Sequence, residues 1–173
     1  KKNKTRDRSR HLDKATMTIK DRAADWLDGY PAAKRTKADV AEAIRDFRGS
    51  DAVKRWYSDG AGELHAACKE DGIVHDKAAP DRHEANGVVE GANRTILEGT
   101  RCSLFRSGLP HKCRGEALKT FCQLHNFGRE SKRLGETPRQ LRFGRKLAGR
   151  LIPFGMKVYY KPAAAREVDL VQK

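Results

Sequence analysis

The sequence has no long apolar run. None of its hydrophobic stretches approaches the roughly 20 residues of a membrane-spanning helix, and no basic segment has a strong apolar face. A membrane is therefore not an expected partner. No signal-peptide pattern opens the chain and residue 1 is a lysine, so we expect a piece of a longer protein.

Cysteine is scarce, and its spacing suits neither metal nor disulfide. The four cysteines form no Cys-x-x-Cys pair, and the histidines do not complete a zinc spacing with them. A chain of 173 residues can rely on an apolar core rather than on disulfides. These patterns favour reduced thiols in the nucleus or the cytoplasm.

Acidic residues are few compared with basic ones. The chain has 37 Lys and Arg against 23 Asp and Glu, which gives a formal net charge of +14. Such a charge predicts attraction to polyanions, and nucleic acid is the first candidate. The basic residues concentrate in a leader (1–14) and in an extension (128–173), where residues 129–150 carry eight basic side chains against two acidic ones. We therefore place the folded core at residues 15–127.

The spacing of apolar residues predicts an α/β core. Threonine, Met17 and Ile19 in rough alternation over 15–20, and a second short run over 26–30 that ends at Pro31, predict a β-hairpin. Thr36 is expected to cap a helix that ends at Gly49. The remaining predictions are a strand (53–58), a helix (63–70), an edge strand (73–75), a polar loop (80–86), two longer helices (87–107 and 113–125) and a strand pair or hook (151–160).

Two carboxylates stand in settings that suit a divalent-metal site. Asp59 follows a short aromatic strand and precedes Gly60, which leaves its carboxylate with little steric cover. Glu90 lies in a predicted helix, off an apolar stripe at positions 88, 89, 92 and 96. Each also has an ordinary explanation: a turn-capping aspartate, and a surface ion pair between Glu90 and Arg94.

The residues around these carboxylates form a longer pattern. It consists of Tyr57-Ser58-Asp59-Gly60, Glu63, Asn86-Gly87-Val88-Val89-Glu90, Asn93-Arg94, Gly99-Thr100-Arg101 and, later, Thr137-Pro138, Leu141-Arg142-Phe143-Gly144 and Pro153-Phe154-Gly155. This pattern resembles the catalytic core of retroviral and retrotransposon integrases, in particular the copia type, over roughly residues 15–165. The resemblance implies an RNase H-like fold, with a mixed sheet and helices on both faces. It also implies a triad of two aspartates and a glutamate that holds two magnesium ions.

By motif, Asp59 matches the second aspartate of that triad and Glu90 matches its glutamate. The implied function is DNA integration within a retrotransposon polyprotein. The reactions are 3′-end processing and strand transfer to double-stranded DNA, with Mg²⁺ or Mn²⁺ as cofactor and the protein acting as a homo-oligomer. The first aspartate is expected on a strand at or before Lys1, because Asp7, Asp13 and Asp21 lack the required strand setting. We therefore expect this chain by itself to be inactive.

A polar face beside Glu90 is expected to contact DNA phosphates. It consists of Asn86, Asn93, Arg94 and Arg101. The alternative is a solvent face joined by salt bridges through Arg94, Glu98 and Arg101.

Two other functions fit the sequence. One is an insertion-sequence transposase with the same triad, and the copia-like segment after Gly128 argues against it. The other is a non-catalytic nucleic-acid-binding remnant, which gains from Gly60, where the family usually has asparagine, and from the short interval between Asp59 and Glu90. The histidines are expected in structural or solvent roles, and the two tryptophans in the core.

Overall fold

The computed structural model describes residues 13–58, 60–77 and 83–159, with the backbone only for 83–86. Strands and helices alternate along the chain, as predicted for an α/β fold. The elements are β1 (Ala15–Lys20), β2 (Leu27–Ala32), α1 (Lys37–Arg48), β3 (Arg55–Ser58), α2 (Gly62–Glu70), β4 (Val74–Lys77), α3 (His83–Ser107), a 3-10 turn (His111–Cys113), α4 (Arg114–Gly128) and α5 (Pro138–Phe143).

The strands form two pairs of opposite kind. β1 and β2 are the predicted antiparallel hairpin, with Ala15 opposite Ala32 and Lys20 opposite Leu27. β3 and β4 are parallel. In the described part of the chain these pairs are separate two-stranded sheets.

Helix α1 supports both strand pairs, and its ends are set by local sequence. The Thr36 hydroxyl accepts the Asp39 N–H at 3.2 Å, and the Asp39 carboxylate accepts the Thr36 N–H at 3.1 Å, which completes the predicted capping box. Gly49 ends the helix at a φ of 55°, a conformation that favours glycine. Met17 of β1 and Trp56 of β3 both pack against the buried face of α1.

Helices α3 and α4 pack against each other and cover the hairpin. Leu27 of β2 lies in one buried cluster with Ile96 of α3 and Leu118 of α4. The Asn126 side chain, 1% exposed, accepts the Leu27 N–H at 2.9 Å and donates to the Leu27 carbonyl at 2.7 Å. Its amide therefore serves as a strand partner along the outer edge of β2.

Part of the basic extension packs on the core, although its backbone conformation differs from the predicted one. Of the strand pair or hook predicted for 151–160, the strand pair is wrong, because residues 151–159 contain no strand and Tyr160 lies outside the described residues. The chain turns at residues 154–155 instead, as a hook does. Pro153 has no N–H for a strand ladder, and Phe154 packs instead against Leu104 and Ala117.

Helix α5 was not predicted. Its signals are nevertheless local, because the Thr137 side chain accepts the Gln140 N–H, Pro138 occupies the first turn, and Gly144 adopts a left-handed conformation. Helix α3 also begins earlier than predicted, so the loop assigned to residues 80–86 is wrong for residues 83–86. None of the described helices combines the length and the apolar character needed to cross a bilayer.

Candidate active site

The first candidate metal ligand, Asp59, lies outside the described residues. The strand that leads to it is described: β3 ends at Ser58, which is paired with Lys77 at the end of β4. Because β3 and β4 are parallel, their carboxyl ends meet at one edge, where open α/β folds usually bind ligands. The assignment of Asp59 as a metal ligand stays a prediction, and the end of β3 at Ser58 gives the position in the fold from which it starts.

The second candidate ligand, Glu90, is an exposed side chain on α3. The buried side of the helix is formed by Ala92 and Ile96, whereas Val89, which was predicted on the buried stripe, is 38% exposed. Among the residues that the structure describes, Glu90 has no ion-pair partner, and Arg94 one turn later does not pair with it. The surface ion pair between Glu90 and Arg94, which was the ordinary explanation for a glutamate at this position, is therefore not formed.

The predicted polar face lies on the same side of α3 as Glu90. At 100° per residue, positions 86, 90, 94 and 101 fall within one helix side, with position 93 next to them. Asn93, Arg94 and Arg101 are exposed, and the Asn86 side chain is outside the described part of the structure. Among described residues, the salt bridges proposed through Arg94, Glu98 and Arg101 do not occur. The two guanidinium groups are therefore available to an external anion.

The donors proposed for a metal are carboxylate oxygens, which suit Mg²⁺ or Mn²⁺. The carboxylate of Glu90 fits this role because it is exposed and is not neutralised by a neighbouring cation within the described structure. No group of three or more His, Cys, Asp or Glu side chains that could hold a metal is found among the described residues, which do not include Asp59.

A groove of about 570 Å³ lies beside β1. Its walls come from β1, from α1 and from the start of α2, the element that follows Asp59. Residues that line it include Thr16 and Met17, Val40 and Ala43, and Ala61 and Leu64. No local sequence signal marks this groove, because it is bounded by elements that are far apart along the chain.

Three polar side chains also meet beside the β3–β4 pair. Ser58 Oγ lies 2.7 Å from His75 Nε2, and His75 Nδ1 lies 3.3 Å from His65 Nδ1 on α2. The sequence predicted only structural or solvent roles for these histidines. Their contact depends on the pairing of β3 with β4, which local sequence does not specify.

The fold is that of the catalytic cores of retroviral integrases, as predicted. The structure is similar to the crystallised catalytic core domain of BIV integrase, with a TM-score of 0.57 and 20% sequence identity, over 73% of this chain and 83% of that one. It is also similar to a chain of the simian T-cell lymphotropic virus intasome in complex with PP2A regulatory subunit B56 gamma. In that case the TM-score is 0.62 and the identity 16%, over 86% of this chain and 53% of that one.

The sequence is similar to a retrovirus-related Pol polyprotein from transposon TNT 1-94 of Nicotiana tabacum. The two are 40% identical over 79 residues, which is 43% of this chain and only 6% of the polyprotein. No protein-family model matches the chain. The sequence motifs resemble those of a retrotransposon integrase core. This similarity and the fold together confirm that resemblance.

Proposed function

We propose that this chain is the catalytic core of a retrotransposon integrase, which joins element ends to double-stranded DNA. The observation that carries the proposal is the exposed side of α3. It presents the carboxylate of Glu90 beside the guanidinium groups of Arg94 and Arg101, and these opposite charges form no ion pairs among the described residues. Such a surface can bind two external charges, a divalent cation at the carboxylate and phosphates at the arginines.

In this proposal Asp59 and Glu90 hold Mg²⁺ or Mn²⁺. The bound ions would supply activation of the attacking hydroxyl and stabilisation of the leaving oxygen during displacement at phosphorus. Arg94 and Arg101 would bind the flanking phosphates, and Asn86 and Asn93 would donate hydrogen bonds that fix the register of the DNA backbone. The reactions would be 3′-end processing by water and strand transfer by the new 3′-hydroxyl.

A third carboxylate completes the proposed site, since two carboxylates hold a pair of divalent ions poorly. We place it on an extended segment that pairs with β1 at the edge facing away from β2, where no other described strand lies, and that fills the adjacent groove. The groove supports this placement because it opens between β1 and Ala61, two residues after Asp59. We expect a longer protein that contains a strand ahead of β1 to be active, and the present chain by itself to be inactive.

The main experiment measures strand transfer by the complete integrase that contains this chain. Asp59→Asn and Glu90→Gln each remove a ligand charge at nearly constant volume, so activity should fall by about 100-fold or more. Glu130→Gln, at an exposed carboxylate beyond the end of α4, is the matched control and should leave activity unchanged. Wild-type activity in Glu90→Gln would refute the site.

The net charge of +14 fits both the enzyme and the non-catalytic DNA-binding remnant, so DNA binding and strand transfer must be measured together to separate them. The chain should bind double-stranded DNA with little sequence preference, and its affinity should fall steeply with salt because counterions are released. Binding with no strand transfer, even after an N-terminal extension, would favour a DNA-binding remnant. We also propose that the protein acts as a homo-oligomer, and the sedimentation of its complex with DNA ends would measure the number of copies. The site of action is expected in the nucleus or the cytoplasm.

A further inference from the structure

The side chains of Ser58 at the end of β3, His75 on β4 and His65 on α2 form a hydrogen-bonded row. His75 is half-buried and His65 is exposed, so the row begins in the protein and ends in solvent. The ring centroids of the two histidines are 5.5 Å apart and the rings are tilted by 40°. They therefore meet through their Nδ1 atoms and not by face-to-face stacking.

The distance between these Nδ1 atoms suits a shared metal ion. Two imidazole nitrogens on a tetrahedral Zn²⁺, each about 2.0–2.1 Å from the metal, lie about 3.3 Å apart. The measured Nδ1–Nδ1 distance is 3.3 Å. An ion can take the place of the proton between the rings, because both nitrogens can then offer a lone pair to the same point.

Ser58 provides the support that a metal-binding histidine usually has. With Nδ1 of His75 bound to a metal, its Nε2 carries the proton and can donate to Ser58 Oγ, which lies 2.7 Å away. This contact is compatible with the required tautomer, because a hydroxyl can accept as well as donate, and it orients the ring toward His65.

We propose that His65 and His75 bind one divalent transition-metal ion, with Zn²⁺ as the cation tested, through their Nδ1 atoms. Imidazole nitrogen prefers such ions to Mg²⁺, so this site is chemically distinct from the carboxylate site proposed for catalysis. His65 and His75 would supply two ligands, and other donors such as water would complete the coordination. The inference does not rest on the proposed function, since it involves neither Glu90 nor DNA.

The first test identifies the ligand atoms without any mutation. The 173-residue chain, labelled with ¹⁵N and kept in excess Mg²⁺ to occupy carboxylate sites, is titrated with Zn²⁺ while histidine ring nitrogens are observed by NMR. We expect the Nδ1 resonances of His65 and His75 to move together at one equivalent, and their Nε2 atoms to stay protonated. Resonances that do not move, or that move only at another histidine, overturn the proposal.

The second test measures Zn²⁺ affinity by calorimetry under the same conditions. His65→Gln and His75→Gln should each weaken binding by at least about 10-fold, and Ser58→Ala should weaken it by about 10-fold through loss of ring orientation. His111→Gln is the matched control, because His111 is exposed in the 3-10 turn, and it should bind as the wild type does. Unchanged affinity in both His65→Gln and His75→Gln would also overturn the proposal.

Discussion

The two halves of α3 differ sharply in their surroundings. From Gly87 to Arg94, Ala92 is the only buried side chain, and a Cβ added at Gly91 would meet no atom within 4 Å. From residue 96 onward, Ile96 and Leu104 are buried, and a Cβ at Gly99 would come within 2.0 Å of the Phe121 ring. One helix thus has an anchored half and a free half, and the proposed ligands Glu90 and Arg94 stand on the free half.

This division suits a site that must bind a large polyanion. The anchored half fixes the helix axis through apolar contacts with α4. The side chains of the free half are therefore not needed to hold the helix in place and can carry exposed charges. Substitution of the same residue type should therefore change stability where the side chain is packed, and DNA binding where it stands on the free half of α3. Three pairs of substitutions test it, and a single substitution tests a partly buried carboxylate of β2.

The largest effect is expected at the buried amide of Asn126. Asn126→Ala removes the partner of both backbone groups of Leu27, each of which costs about 1–3 kcal/mol when it is left unsatisfied, so the free energy of unfolding should fall by about 2–4 kcal/mol. Denaturant titration measures this loss. Asn93→Ala, on the free half of α3, should change stability by less than about 0.5 kcal/mol and weaken DNA binding instead. Equal losses in the two variants would contradict the division.

The next effect is expected at Arg142 of α5. Its guanidinium donates to the carbonyls of Phe47 and Arg48 at the end of α1 and to the Asp51 carboxylate at 3.0 Å, and it lies 5.2 Å from the Trp26 ring. Arg142→Met should lower the free energy of unfolding by about 1.5–3 kcal/mol, because these carbonyls lose a charged donor.

Arg94→Met is the matched control for Arg142→Met. It should leave stability nearly unchanged and reduce the salt dependence of DNA binding by the equivalent of about one phosphate contact. A loss of stability in Arg94→Met without an effect on DNA would place Arg94 in the anchored region and sink its assignment to the polar face.

A smaller effect, of opposite sign in the two halves, is expected for the glycines of α3. Gly91→Ala should stabilise the protein by about 0.5–1 kcal/mol, because alanine favours the helix and the position is open. Gly99→Ala should destabilise it by about 1–2 kcal/mol, since the displaced Phe121 ring costs more than the helix gains. Thermal unfolding of both variants decides the matter, and a stabilising Gly99→Ala would show that the ring moves freely.

The smallest effect is expected at Asp28 of β2, whose pKa is raised from its usual range chiefly by burial, although the Gly29 N–H donates to its carboxylate at 2.8 Å. A raised pKa in the folded state means that the protonated form favours folding. This contribution is present below the unfolded pKa of 3.8 and is lost as the pH rises through the folded value.

Asp28→Asn should therefore become more stable relative to the wild type as the pH rises from about 3 to 7, by less than about 1 kcal/mol. Denaturant midpoints for both proteins across this pH range measure the difference. A difference that does not change with pH, or that falls as the pH rises, would show that burial does not dominate at this carboxylate.

The sequence alone determined most of the helices and strands of residues 15–127, and which carboxylates are candidates for a metal. The Thr36 capping box, the stop at Gly49 and the apolar stripe of α1 depend on residues within a few positions of one another, so their signals are complete in the local sequence. The strand pair that was one of the two predictions for residues 151–160 is wrong, because an apolar run does not show whether a strand partner exists. There the side chain of Phe154 packs on the core without a backbone ladder.

Only the tertiary structure decided the long-range contacts. Asn126 binds Leu27 across 99 positions, Arg142 binds Phe47 across 95, and His65 meets His75 only because β4 pairs with β3. The absence of an ion pair between Glu90 and Arg94, which the spacing favours, is likewise a property of the packed protein. Local sequence sets the backbone conformation through hydrogen bonds between near neighbours. Which side chains meet across the core is set by how whole elements pack, and that depends on all of them at once.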